Sequence, residues 1–158
     1  MERGELAAIV KTIVVRRPAS EAFDLFVTHI SAWWPLQTHS MAAQGGGPAA
    51  TSVLIEAFVG GRVYETRADG GTCEWGKVLV FEPGTHLRLL WQLGRAPEAA
   101  SEVSVCFEAL SDSSCRVKLV HAHWERLGEA AMDVRQAYQA GWEIVLGKLF
   151  AQYADNPD

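Results

Sequence analysis

From residue 52 to about residue 124, apolar side chains recur at every second position; on either side of that region they recur with a helical period. The segments VLIEAFV, RVYETR, TCEWGKVLVFEP, LRLLWQL, SEVSVCFEAL and CRVKLVHAHW are separated by Gly60-Gly61, DGG, EPGTH, a Gly/Pro/Ala loop at 94–100 and SDSS. Alternation bounded by such turn residues predicts six strands, and joints this short predict an antiparallel meander. Before them, LAAIVKTIVV (6–15) is rich in β-branched residues and reads as a strand that stops at Arg16-Arg17-Pro18. PASEAFDLFVTHI then opens a helix, with Pro18 at its entry, Ser20 as a candidate cap and Ala22, Phe23, Phe26, Val27 and Ile30 at helical spacing. A second helical turn carries Trp33 and Trp34 up to Pro35, and AAQGGGPAATS (42–52) has no period and reads as a mobile loop or lid. The chain finishes in one amphipathic helix, roughly 129–154, whose stripe is Val134, Ala137, Tyr138, Gly141, Trp142, Val145, Leu149 and Phe150.

A seven-stranded antiparallel sheet must bury one face, and only the last helix is long enough to cover it. The expected architecture is α+β: a sheet wrapped around a long C-terminal helix, with two short helices after the first strand, all in one domain spanning 1–158. A sheet gripping a single helix leaves space between them, and the corner at Trp33 and Trp34 would close one end of that cavity.

Composition narrows the function. At 158 residues, 49% hydrophobic and 21% charged, the chain is of ordinary globular make-up. A net charge of −5 without a basic run argues against nucleic acid and anionic membrane as partners. No apolar run is long enough to span a bilayer, and the start of the chain, with Glu2 and Glu5, does not read as a secretory leader. Cys73, Cys106 and Cys115 are odd in number, lack a CxxC spacing and lie in strand-like stretches, which suits reduced thiols in a cytoplasmic protein.

Alternation assigns faces. Leu87, Leu89 and Trp91 share one face of their strand, and Val103, Val105 and Phe107 point inward on the next. Arg116 and Lys118 need water, so Cys115, Val117, Leu119 and His121 turn inward and His123 falls near the rim. In RVYETR either Glu65 or Tyr64 is inward, and the strand 72–81 offers mixed sets on both faces, so both assignments stay open. His121 and His123, two residues apart, could supply two nitrogens to a metal with His39 or Glu65 as third ligand; the chain has no HExxH or CxxC to support this, and the expected site holds no metal. Glu56 and Glu65 are the carboxylates that would serve as acid or base if buried. The glycine pairs precede no helix and do not form phosphate loops.

The series VGGRVYE (59–65), WGKVLVFEPGTHLRLLW (75–91), SEVSVCFE (101–108), CRVKLVHAHW (115–124) and GW (141–142) resembles the bacterial homologues of the activator of heat-shock-protein-90 ATPase, within the START or Bet-v-1-like superfamily. WWPLQTHS resembles a corner of one branch of that family. The resemblance implies the helix-grip fold and covers nearly the whole chain. It transfers no catalytic set, because the superfamily includes lipid carriers, hormone receptors, polyketide cyclases and co-chaperones. The expected function is non-enzymatic binding of a small apolar or aromatic molecule, without a cofactor, by Trp33, Trp34, His39, Glu65, Trp75, Trp91, His121, Tyr138 and Trp142. A cyclase- or hydrolase-like enzyme using an inward Glu65/His121 pair comes second, and a co-chaperone of a heat-shock ATPase third. An exposed edge strand would also suit pairing into a homodimer.

Overall fold

A computed structural model describes residues 6–155; residues 1–5, on which the argument against a leader rests, and 156–158 lie outside it. Seven strands form one antiparallel sheet: β1 (Ile9–Val15), β2 (Ser52–Ile55), β3 (Arg62–Thr66), β4 (Thr72–Glu82), β5 (His86–Trp91), β6 (Ser101–Ser111) and β7 (Ser114–Ala122). Their spatial order is β1-β7-β6-β5-β4-β3-β2, so the meander runs unbroken and β1 closes against its last strand. The inward row Leu89–Val103–His121–Ile9 crosses four strands in register, and Leu87–Val105–Leu119 lies beside it. No described helix is long and apolar enough to cross a membrane.

Helix α1 (Ala19–Thr28) starts after Pro18, whose carbonyl accepts the Ala22 N–H at 2.9 Å. Ser20 lies inside the helix and makes no capping bond; proline supplies the entry by fixing its own φ. The helix buries Phe23 and Phe26 edge-on against Phe81 and Phe107. Three single-turn helices follow: α2 (Ile30–Trp33), α3 (Leu36–His39) and α4 (Met41–Gln44). The first part of the expected lid is therefore ordered helix, held by buried Ser40, whose Oγ accepts the N–H groups of Ala43 and Ala50.

Strand β4 resists a two-sided reading because it bulges twice. Its register slips opposite Val63/Tyr64, where Trp75 is the extra residue, and again at Leu79. Trp75, Gly76 and Val78 are consequently all buried, which no strict alternation allows. A Cβ on Gly76 would stand 1.7 Å from the Leu90 carbonyl oxygen, so only glycine lets β4 and β5 approach there.

The C-terminal helix runs as α5 (Ala131–Ile144), a π-helical stretch (Val145–Phe150) and α6 (Ala151–Asp155). The wider turn inserts one residue into the period, so Trp142, Val145, Leu146, Phe150 and Ala154 are buried, and Leu146 takes the place expected of Leu149. That half presses onto β1 and onto the helices that follow it, with Phe150 against Phe26 of α1 and Trp33 of α2. The first half stands off: Val134 and Tyr138 are half-buried and Ala137 is exposed. Cys115 is buried as a small apolar residue, Cys73 is half-buried, and Cys106 faces solvent on β6, out of phase with the inward Val103, Val105 and Phe107.

Replacing Gly76 by alanine should destabilise the fold by roughly 1–3 kcal/mol, because β5 must move to admit the methyl group. Urea unfolding of the variant measures this, and an unchanged midpoint would show that the strands separate freely at that point.

Candidate functional site

Where α5 departs from the sheet, a cavity of about 680 Å³ opens between them. Trp34, Trp75 and Trp91 form its apolar wall, Tyr138 and Gly141 line it from α5, and His39 and Met41 bound it from the corner. Next to that corner, with Gly94 against the Met41 side chain, the β5–β6 loop supplies Gln92, Leu93 and Arg95. Leu93 has φ 48°, a left-handed conformation uncommon for leucine, and both its N–H and that of Gln92 are bound by the Trp75 carbonyl, at 2.9 and 2.6 Å. The bulge that turns Trp75 inward thus also fixes the loop across the rim.

The two tryptophans of the corner have divided tasks. Trp33 is core, packed on Phe26 and Phe150 with ring centroids 4.9 Å away, and its indole N–H goes to the Leu25 carbonyl at 3.1 Å. Trp34 faces the cavity between Trp75 and Trp142, and its N–H closes the α3 turn on the His39 carbonyl, also at 3.1 Å. The His39 ring bonds Thr38 Oγ1 at 2.7 Å and passes alongside Gly141 of α5.

Glu65 is fully buried, which settles the β3 faces: Glu65 and Val63 are inside, Tyr64 and Thr66 outside. Its carboxylate does not line the cavity. Oε1 accepts the Met41 N–H at 2.6 Å and the Trp75 indole N–H at 2.7 Å, and Oε2 accepts the Ala42 N–H at 2.9 Å. The expectation of Glu65 as a ligand contact or general base is corrected by these bonds, which use the carboxylate to fasten α4 onto the sheet. Glu56 stays near the surface and accepts the Arg62 N–H at 2.6 Å.

His121, also fully buried, is turned inward but sits behind the cavity wall. Trp142 donates its indole N–H to Nδ1 at 3.0 Å, and Nε2 meets Ser101 Oγ at 2.7 Å. An indole only donates, so Nδ1 carries no hydrogen and Nε2–H points at the serine. Burial pushes the imidazole down to a pKa of about 3, leaving it neutral. The Glu65/His121 pair therefore does not converge on the cavity. Neither does a two-histidine metal site form: β7 ends at Ala122, and His123 leaves through a left-handed backbone (φ 67°) into solvent beside Glu125. Among the described residues no group of three or more His, Cys, Asp or Glu is arranged to hold a metal.

Of the residues expected at a site, the structure brings Trp34, His39, Trp75, Trp91 and Tyr138 together around the cavity and leaves Trp33, Glu65, His121 and Trp142 in the framework behind it. Sequence reasoning missed Ser101, Gln92 and Arg95. Ser101, first on β6, is in phase with the inward Val103 and Val105, and that phase was the available signal. Tyr138 is pushed up to about 12 by burial, against the opposing pull of the Trp91 N–H and the Arg95 charge, so its hydroxyl stays protonated at neutral pH.

The family described as "Activator of Hsp90 ATPase homolog 1-like protein" matches residues 16–155. The chain belongs to that family. Among solved structures it is similar to an anthrahydroquino-gama-pyrone synthase, Txn09, complexed with SUM, at 28% identity, covering 95% of this chain and 96% of that one with a TM-score of 0.63. It also resembles CalC, a self-sacrificing resistance protein from Micromonospora echinospora (22% identity, 96% of each chain, TM-score 0.69). A third similar structure is the Aha1 dimer from Colwellia psychrerythraea (15% identity, 96% of this chain and 98% of that one, TM-score 0.67). The last two share the helix-grip fold expected from the sequence. No curated protein matches the chain.

Two substitutions test the framework. An unfolded imidazole titrates near 6.5, whereas His121 in the native state resists protonation down to about 3. Between these values the unfolded chain holds the extra proton, so the contribution is complete above about pH 6.5 and is lost as the pH falls toward 3, by a few kcal/mol. His121→Gln should flatten that acid limb in urea melts recorded across the range. Glu65→Gln keeps one acceptor oxygen and turns the other into an NH2 donor facing an N–H group; it should lower stability by about 1–3 kcal/mol and expose the amides of Met41 and Ala42 to hydrogen exchange.

Proposed function

We propose that this protein binds a small, largely aromatic molecule in the cavity between sheet and α5. The observation that carries the reading is the wall itself: a space of about 680 Å³, of the size that holds small organic ligands, faced by three indoles and a phenol, with His39, Gln44, Gln92, Arg95, Ser101 and Asp133 around them. Burial of a flat aromatic frame against those rings drives association, and the polar groups of the wall orient it. The similarity to a synthase complexed with a ligand, at 28% identity over 95% of this chain, agrees with an aromatic occupant.

That same similarity favours a second reading, in which the bound molecule undergoes ring formation. The acid–base pair expected from sequence is engaged in the framework, so the titratable groups left on the wall are His39, Arg95, Asp133 and Tyr138. Of these, His39 carries an imidazole, whose two ring nitrogens can accept and donate a proton, and it would carry proton transfer. Under this reading the molecule that leaves differs from the one that entered, and His39→Gln binds without converting.

Native mass spectrometry of freshly purified protein, followed by organic extraction, should release an aromatic compound at up to one per chain. Ala137→Trp places an indole in the cavity from the α5 side and should reduce retention at least tenfold while leaving the melting temperature within a few degrees. Full retention by that variant would locate the ligand elsewhere and sink the proposal.

A further inference from the structure

The hydrogen bonds behind the wall leave a polarity on its surface. Trp91 donates its N–H to the Tyr138 oxygen at 2.8 Å, so the phenol accepts there and its own hydrogen must go elsewhere. The same logic runs through the second chain of bonds. Trp142 donates to His121 Nδ1, which places the imidazole hydrogen on Nε2, and that hydrogen goes to Ser101 Oγ. The serine therefore accepts as well, and its hydroxyl hydrogen is also uncommitted. Among the described residues no acceptor takes the hydrogen of either hydroxyl, and both residues line the cavity.

The opposite deficit occurs at Gln92. Its Nε2 donates to the Arg95 carbonyl at 3.2 Å, which fixes the orientation of the amide, because its oxygen could not occupy that position. The Oε1 atom then has no partner and is closed off even from water, a state that costs stability and is relieved when the amide turns toward a donor in the cavity. Gln92 too lines the cavity.

We infer that the ligand is a hydroxylated aromatic ketone or quinone: a carbonyl-type oxygen accepts from Tyr138 and Ser101, and a ring hydroxyl donates to Gln92. This rests on the binding reading and adds its selectivity. A plain hydrocarbon of the same shape leaves two hydroxyl hydrogens and one amide oxygen without partners, whereas an oxygenated one satisfies them. A net hydrogen bond of ordinary strength corresponds to about tenfold in affinity.

The test uses three probes on one tricyclic frame: xanthene, xanthone and 3-hydroxyxanthone. Each is titrated into the full chain while quenching of the cavity tryptophans is followed. Wild type should bind xanthone about tenfold more tightly than xanthene, and 3-hydroxyxanthone a further several-fold more tightly. Tyr138→Phe should shrink the xanthone-over-xanthene ratio. Gln92→Leu, which leaves every buried indole partner in place, should shrink only the advantage of the hydroxyl, so the idea stays testable if the tyrosine variant folds poorly. Equal affinity for all three probes, or ratios untouched by Gln92→Leu, would overturn the inference and leave aromatic binding standing. Absence of quenching by any of the three would remove both.

Discussion

Six tryptophans in a chain of 158 residues, all sunk into one core, impose a requirement that apolar packing cannot meet: each indole carries one N–H that must find an acceptor away from water. Every one does. Trp33, Trp34 and Trp124 use the backbone carbonyls of Leu25, His39 and His121, while Trp75, Trp91 and Trp142 use the side chains of Glu65, Tyr138 and His121. Of the buried polar side chains, Glu65 and His121 accept directly from indoles, and Ser101 meets His121 from its other side. His121 serves two indoles at once, through its ring and its carbonyl, and its ring stacks 4.1 Å from Trp124.

This requirement separates two populations of polar side chains that look alike in sequence. Glu65 and His121 are saturated from behind and hold elements together; Tyr138 and Ser101 accept from the framework and face the cavity with hydrogens to spare. The mouth shows the same division of labour. The corner at α3 and α4 is tied to the sheet through Glu65 and to itself through Ser40, whereas the α5 side meets it through side-chain contact, with His39 beside Gly141.

The architecture was legible because its signals are periodic. Alternation in β5, β6 and β7 gave the correct inward sets, including His121, since Arg116 and Lys118 on the opposite side left no choice of face. Periodicity failed where geometry inserts a residue: the bulges at Trp75 and Leu79 put neighbours on one side of β4, and the π-helical stretch exchanged Leu149 for Leu146. Glu65 was beyond reach for another reason. A buried carboxylate is stable only with its partners, and those are backbone amides 23 and 24 residues away and an indole on the next strand, none of which local sequence encodes. The nine expected site residues were all found in or beside one aromatic cluster, but composition could not say which would face the space and which would stand behind it.

Leu93, Leu127, Val134 and Ala137 border the cavity with apolar side chains that accept and donate nothing. The groups that satisfy the indoles and the groups that shape the space therefore mutate under different constraints. An exchange at Val134 or Ala137 alters volume and contour while every buried acceptor keeps its donor. Such exchanges change what the space can hold without rebuilding the frame around it.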